Sequence, residues 1–107
     1  MAFSAKFLDV EPAREKIDAT VEATLIEFGA PWCGHCIAAQ PLIESAFTQY
    51  PHVQHLKVED GKGKPLGRSF RVKLWPTLIF IKDGVEQERL VRPTQQDAIQ
   101  QALAKIA

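Results

Sequence analysis

The sequence predicts an α/β sandwich around a central mixed sheet, with elements in the order βαβαβαββα. Three observations predict it. Apolar, β-branched runs at Thr24–Gly29, Val53–Val58 and Thr77–Lys82 alternate with stretches whose apolar residues recur at helical spacing. Asp83-Gly84 falls between two strand-like runs, where it marks a hairpin turn. Pro51 closes one helical stretch and Pro76 stands just before a strand-like run, while Pro41 falls inside a helix. A parallel part laid down first and an antiparallel hairpin added at the end follow from that order.

Taken along the chain, Phe3 to Leu8 reads as a short first strand. Glu11-Pro12 opens a helix, since proline suits the first helical position and acids crowd the first turn; Ile17 and Val21 lie on its apolar side. After the strand at 24–29, a helix from Cys33 or Gly34 runs to about Tyr50. Periodicity continues through Leu42, Ile43 and Phe47, so Pro41 should kink that helix without breaking it. The strand at 53–58 leads into the polar loop 59–64, too rich in turn residues to be core, and then a short helix over 65–70. Thr77–Lys82 is the most continuous apolar run and reads as a central strand, paired through the hairpin with Val85–Val91. Pro93-Thr94 starts the last helix, with a stripe of Ala98, Ile99, Ala102, Leu103 and Ile106.

At 107 residues the chain is expected to form one domain over 1–107, large enough for its own core. No apolar run approaches the roughly 18 residues of a membrane-spanning helix, so no membrane partner is expected. The 13 basic and 13 acidic residues balance, which removes any global bias toward nucleic acid. The charge is uneven, however: residues 57–73 carry six basic side chains against Glu59 and Asp60. The N-terminus lacks the basic start and long apolar stretch of a signal peptide. A cytoplasmic location is expected, with prior removal of an export signal left open.

The two cysteines, Cys33 and Cys36, sit where a strand hands over to a helix. In a chain of this kind two cysteines point to redox or metal work rather than to a disulfide framework. A helix N-terminus carries partial positive charge and unpaired N–H groups, which favour a thiolate at Cys33. Three residues bring Cys36 nearly one turn below it, close enough to bridge. Zinc would need two further ligands, and His52 and His55 lie a long helix away from the pair, so no metal is expected.

Trp32-Cys33-Gly34-His35-Cys36, Pro41, Lys57, Trp75-Pro76-Thr77 and Asp83-Gly84, in that order, resemble the thioredoxin superfamily from the first strand to the last helix. The resemblance implies a three-layer sandwich with helices on both faces of the sheet. Length and the spacing from Lys57 to Pro76 are similar to bacterial thioredoxins. The string Glu27-Phe28-x-Ala30-Pro31-Trp32-Cys33-Gly34-His35-Cys36 is similar to the catalytic domains of protein disulfide isomerases. The chain departs from both: Ile37 stands where isomerase domains usually have a basic residue, and Arg92 where thioredoxins usually have a glycine.

The implied activity is reversible thiol–disulfide exchange with protein disulfides or dithiols. Cys33 would be the nucleophile, needing an exposed sulfur, and Cys36 the resolving thiol. The cysteine pair carries the electrons, so no separate cofactor is expected; a reductase or other donor would recharge it, and the protein would act as a monomer. Glu27, an acid inside an apolar strand, would take or return the Cys36 proton, and Lys57 would pair with it. His35 would stabilise the reduced form. General values of about −270 mV for thioredoxin and about −180 mV for the isomerase bracket the expected potential. Trp32, Gly34, Trp75, Pro76 and Thr77 would form the substrate-binding face, with a cis bond before Pro76 and the Trp75 backbone free to pair with an extended partner chain. Lys73 and Arg92 should lie near this rim and favour acidic partners. Oxidation or isomerisation in an oxidising compartment is one alternative, and a docking module with passenger thiols is another.

Overall fold

The structure is a computed structural model, and it describes residues 3–107. Eight elements follow in chain order: α1 (Arg14–Asp18), β1 (Thr24–Gly29), α2 (Gly34–Phe47), β2 (Gln54–Glu59), α3 (Pro65–Ser69), β3 (Thr77–Lys82), β4 (Val85–Val91) and α4 (Gln96–Ile106). The sheet has the order β2-β1-β3-β4, with β1 parallel to β2 and antiparallel to β3, and β4 antiparallel to β3.

Period-two alternation sends successive side chains of each strand to opposite faces, and the helices divide accordingly. Leu25, Leu78 and Phe80 pack under α2 and α4 with Ile43, Phe47, Ile99 and Leu103. Ile26, Phe28, Val58, Ile79 and Ile81 pack on the other face with Ile17 of α1 and Leu66 beside Phe70 at α3. Burial of β1 and β3 on both faces explains their near-continuous apolar sequences. Among the described residues, no helix is long and apolar enough to cross a membrane.

Most elements fall where the sequence puts them, and β3 and β4 match to the residue. The expected first strand does not form. Residues 3–8 lie along the β2 edge, where one main-chain bond, from the Leu8 N–H to the Lys57 carbonyl at 2.8 Å, joins them to it. Side chains take the other contacts: the Ser4 N–H donates to His55 Nδ1, and Lys57 Nζ donates to the Ala5 carbonyl. A ladder cannot propagate when its donors and acceptors are diverted in this way. Val21 is 67% exposed rather than on the apolar side with Ile17, because α1 ends at Asp18. The last helix starts at Gln96, later than Pro93-Thr94, and α2 ends at Phe47 rather than near Tyr50. That helix continues through Pro41 without a break.

Candidate functional site

The C-terminal end of β1 delivers the chain into the loop 30–32 and then α2. Cys33 is the N-cap of α2, in extended geometry, and its Sγ accepts a hydrogen bond from the Cys36 N–H at 3.2 Å. One of the helix's unpaired donors therefore points at the sulfur, which is where a thiolate gains most from the helix end. Both cysteines are free thiols. The expectation of an exposed nucleophile is corrected: Cys33 is only 7% exposed, because Ala30, Cys36 and Trp75 pack around it. Cys36 is deeper still. Burial first, and then the contact with Cys33, push its thiol up to about 12, so it needs a base to react near neutral pH. Gly29 makes room for it, since a Cβ there would lie 2.7 Å from the Cys36 sulfur.

The second half of the site comes from the turn before β3. The Trp75–Pro76 peptide is cis. The Trp75 carbonyl lies 3.9 Å from Cys33 Sγ and accepts from Arg92 Nε at 2.8 Å. That carbonyl thus has one donor within the chain, and its second lone pair is the one a partner chain could use. Arg92 also donates its own N–H to the Pro76 carbonyl, with a left-handed φ of 51°. Thr77 is buried, and its Oγ1 donates to the Leu74 carbonyl. The Trp75 indole donates from Nε1 to Asp60 Oδ2 at 2.9 Å and meets Trp32 edge-on, with ring centres 5.6 Å apart. Trp32 is 74% exposed and forms the outer rim. Gly34 faces open space. His35 is exposed and lines a small cavity with Leu42, Arg92 and Thr94. On the other side of Trp75, Lys64, Arg68, Arg71 and Lys73 line a cavity of about 580 Å³.

Below the cysteines lies a buried polar cluster. Glu27 is completely buried, with Oε1 2.9 Å from His55 Nε2 and Oε2 accepting from Gln40 Nε2 at 2.7 Å. Gln40 Nε2 also donates to the Cys36 carbonyl, and Gln40 Oε1 accepts from Lys57 Nζ at 2.8 Å. The expected Glu27–Lys57 pair is therefore corrected: Gln40 stands between the two, and the carboxylate's direct partners are Gln40 and His55. The register aligns Glu27 with Lys57 across β1 and β2, but a helix side chain fills the gap between them.

The arrangement brings Cys33, Cys36, Trp32, Trp75, Pro76 and Arg92 into one surface, with Glu27 and Lys57 beneath it. The sequence reading misses Gln40, His55 and Asp60. His55 and Lys57 are two apart on one strand and so share the face of Glu27, a signal present in the sequence once the register is known. Gln40 lies one turn after Cys36 on α2, the spacing that puts both over β1. Asp60 lies in a polar loop and carries no local mark of its bond to Trp75.

A free dithiol so held, with one sulfur capped by a backbone amide and the other buried near a carboxylate, can give two electrons to a disulfide and take them back. Known proteins agree with that chemistry. The thioredoxin family model matches residues 6–105. Thioredoxin H-type 1 of Nicotiana tabacum is 34% identical over 88 residues, covering 82% of this chain and 69% of its own length. Thioredoxin of Chlamydia trachomatis serovar D is 37% identical over 81 residues, covering 76% and 79%. The structure of reduced thioredoxin 2 from Pseudomonas aeruginosa PAO1 superposes with a TM-score of 0.86 at 49% identity, covering 97% of this chain and 96% of that one.

Proposed function

Because the chain belongs to the thioredoxin family and is a thiol–disulfide oxidoreductase, we propose that it works as a single-domain, monomeric reductase of protein disulfides, with Cys33 as nucleophile. The Cys33 thiolate attacks one sulfur of the target disulfide. A mixed disulfide forms, and the target's other sulfur leaves as a thiolate that takes a proton from water. Cys36 then passes its proton to Glu27 and attacks Cys33 Sγ, which releases the second target sulfur as a thiolate that takes a proton from water; Glu27 returns its proton to solvent, and the Cys33–Cys36 disulfide is left. Two electrons have moved from the dithiol to the target. A reductase or other dithiol donor returns them, and the cysteine pair needs no separate cofactor. A reducing compartment such as the cytoplasm suits this direction.

The observation that carries the reading is the pairing of a capped sulfur with a buried one. Cys33 Sγ accepts from the Cys36 amide at the start of α2, and the Cys36 thiol is too deeply buried to react without a base. Trp32, Gly34, Trp75, Pro76 and Thr77 are proposed to bind the target. The Trp75 carbonyl lies 3.9 Å from Cys33 Sγ, and Arg92 Nε donates to it at 2.8 Å. The basic cavity beyond Trp75 supports targets with acidic segments near their disulfides.

The deciding measurement is the reduction potential of the Cys33–Cys36 pair, equilibrated against glutathione. A value toward the thioredoxin end, about −270 mV, is expected for a reductase. A value at or above about −180 mV would instead assign the protein to disulfide formation or isomerisation and overturn the proposed direction.

A further inference from the structure

His55 has no task in the exchange as written above, yet its side chain is wholly buried. The ring lies between Phe3, at 5.3 Å, and Phe47, stacked at 5.1 Å. Its Nδ1 accepts from the Ser4 backbone N–H at 2.7 Å, and its Nε2 is 2.9 Å from Glu27 Oε1. A backbone amide can only donate, so Nδ1 must present its lone pair. The ring proton is then on Nε2, aimed at the carboxylate. The neutral Nε2–H tautomer satisfies both contacts, whereas an imidazolium would have to give up the Ser4 amide.

We propose that His55, locked in this tautomer by the Ser4 amide, is a positioning residue that holds Glu27 in place as the proton acceptor for Cys36. This rests on the assignment of Glu27 as that acceptor. Hydrogen bonds to the charged form of an acid favour that form. Glu27 has two such bonds, one from His55 and one from Gln40. Gln40 is itself fixed, since the Lys57 ammonium holds its Oε1 and leaves Nε2 to face Glu27 and the Cys36 carbonyl. The charged and titratable groups around the carboxylate are thus His55 and, through Gln40, Lys57 from β2, and Cys36 from α2; β3 presents Leu78 opposite it. Removing the imidazole donor leaves a buried carboxylate with one donor fewer. It also loses the contact that fixes its position relative to Cys36. The segment 3–8, which the fold does not use as a strand, becomes part of the site's wiring through the Ser4 amide.

The test follows resolution of a mixed disulfide on Cys33 by stopped flow between pH 5.5 and 8.5. Replacing the donor in His55→Leu should slow resolution about tenfold at pH 6 and move the acid limb up by about one pH unit, with rates converging at pH 8.5. His55→Gln, whose amide can still donate, should recover most of the loss. Imidazole ¹⁵N spectra of the unmodified protein should show the His55 ring proton on Nε2 and a bare Nδ1. A proton on Nδ1 overturns the inference even if the variants do not fold. Glu27→Gln separates the two levels. If it leaves resolution unchanged, the acceptor assignment falls and the role of His55 falls with it. If it slows resolution while His55→Leu keeps the unmodified pH profile, only the role of His55 is lost. Ser4→Pro deletes the amide donor and should free Nδ1 to carry a proton in the spectra, with Nε2–H still facing the carboxylate. An unchanged spectrum in that variant would show that the lock is not the Ser4 amide.

Discussion

Cys36 shows what a few ångströms of burial do to one side chain. Its thiol is 3% exposed and is pushed up to about 12 from an ordinary 9.0, chiefly by burial and then by Cys33. The folded protein therefore holds a proton that the unfolded chain releases first. Stability linked to this group is complete below pH 9.0 and is lost as pH rises toward about 12. The reduced protein should lose melting temperature above pH 9 faster than Cys36→Ala, and parallel curves would count against a buried, protonated Cys36. The sequence places Cys36 one turn below Cys33 but contains no measure of its depth. That depth comes from Gly29, whose missing Cβ leaves the space that the sulfur fills. Arg92 is similar: it is visible as a departure from the family pattern, but its bond to the Trp75 carbonyl needs the chain to bring residues 75 and 92 together.

At the scale of elements, α2 does two jobs with two ends. Its first turn caps the Cys33 sulfur, and its second half anchors the helix through Ile43, Ala46 and Phe47 against the sheet and α4. Ile43 is fully buried, so Ile43→Ala should lower the unfolding free energy by about 2–5 kcal/mol. A shifted urea midpoint with an unchanged slope would show it, and a loss below about 1 kcal/mol would mean that α2 is held elsewhere. Elements with strong periodicity were legible: β3 and β4 are fixed by an unbroken apolar run, a turn dipeptide and a second run. The segment 3–8 was not, because its apolar spacing suits a strand while His55 and Lys57, some fifty residues away, take its polar groups.

For the whole molecule, zero formal charge hides an asymmetric surface. Lys64, Arg68, Arg71 and Lys73 face one cavity beside Trp75. Arg71 holds a left-handed φ of 58°, a conformation that favours glycine, so its place there is not set by backbone ease. Reduction of a protein disulfide flanked by acidic residues should therefore slow as salt rises, by severalfold in kcat/KM between 20 and 300 mM, through the association step. Arg71→Glu combined with Lys73→Glu should flatten that dependence. Salt-independent rates on an acidic target would remove the docking role of this cavity.

The sequence by itself determined the chemistry and the order of elements. Those depend on local signals: two cysteines three apart at a strand-to-helix junction, apolar runs of period two and 3.6, and proline and glycine at the turns. The tertiary structure alone decided which distant groups meet. It put Gln40 between Glu27 and Lys57, gave Glu27 the His55 ring as its second donor, tied Trp75 to Asp60, and turned residues 3–8 from a strand into a strap. The physical reason is that a buried polar group must find a partner, and which partner it finds is set by sheet register and helix packing rather than by its neighbours in the chain.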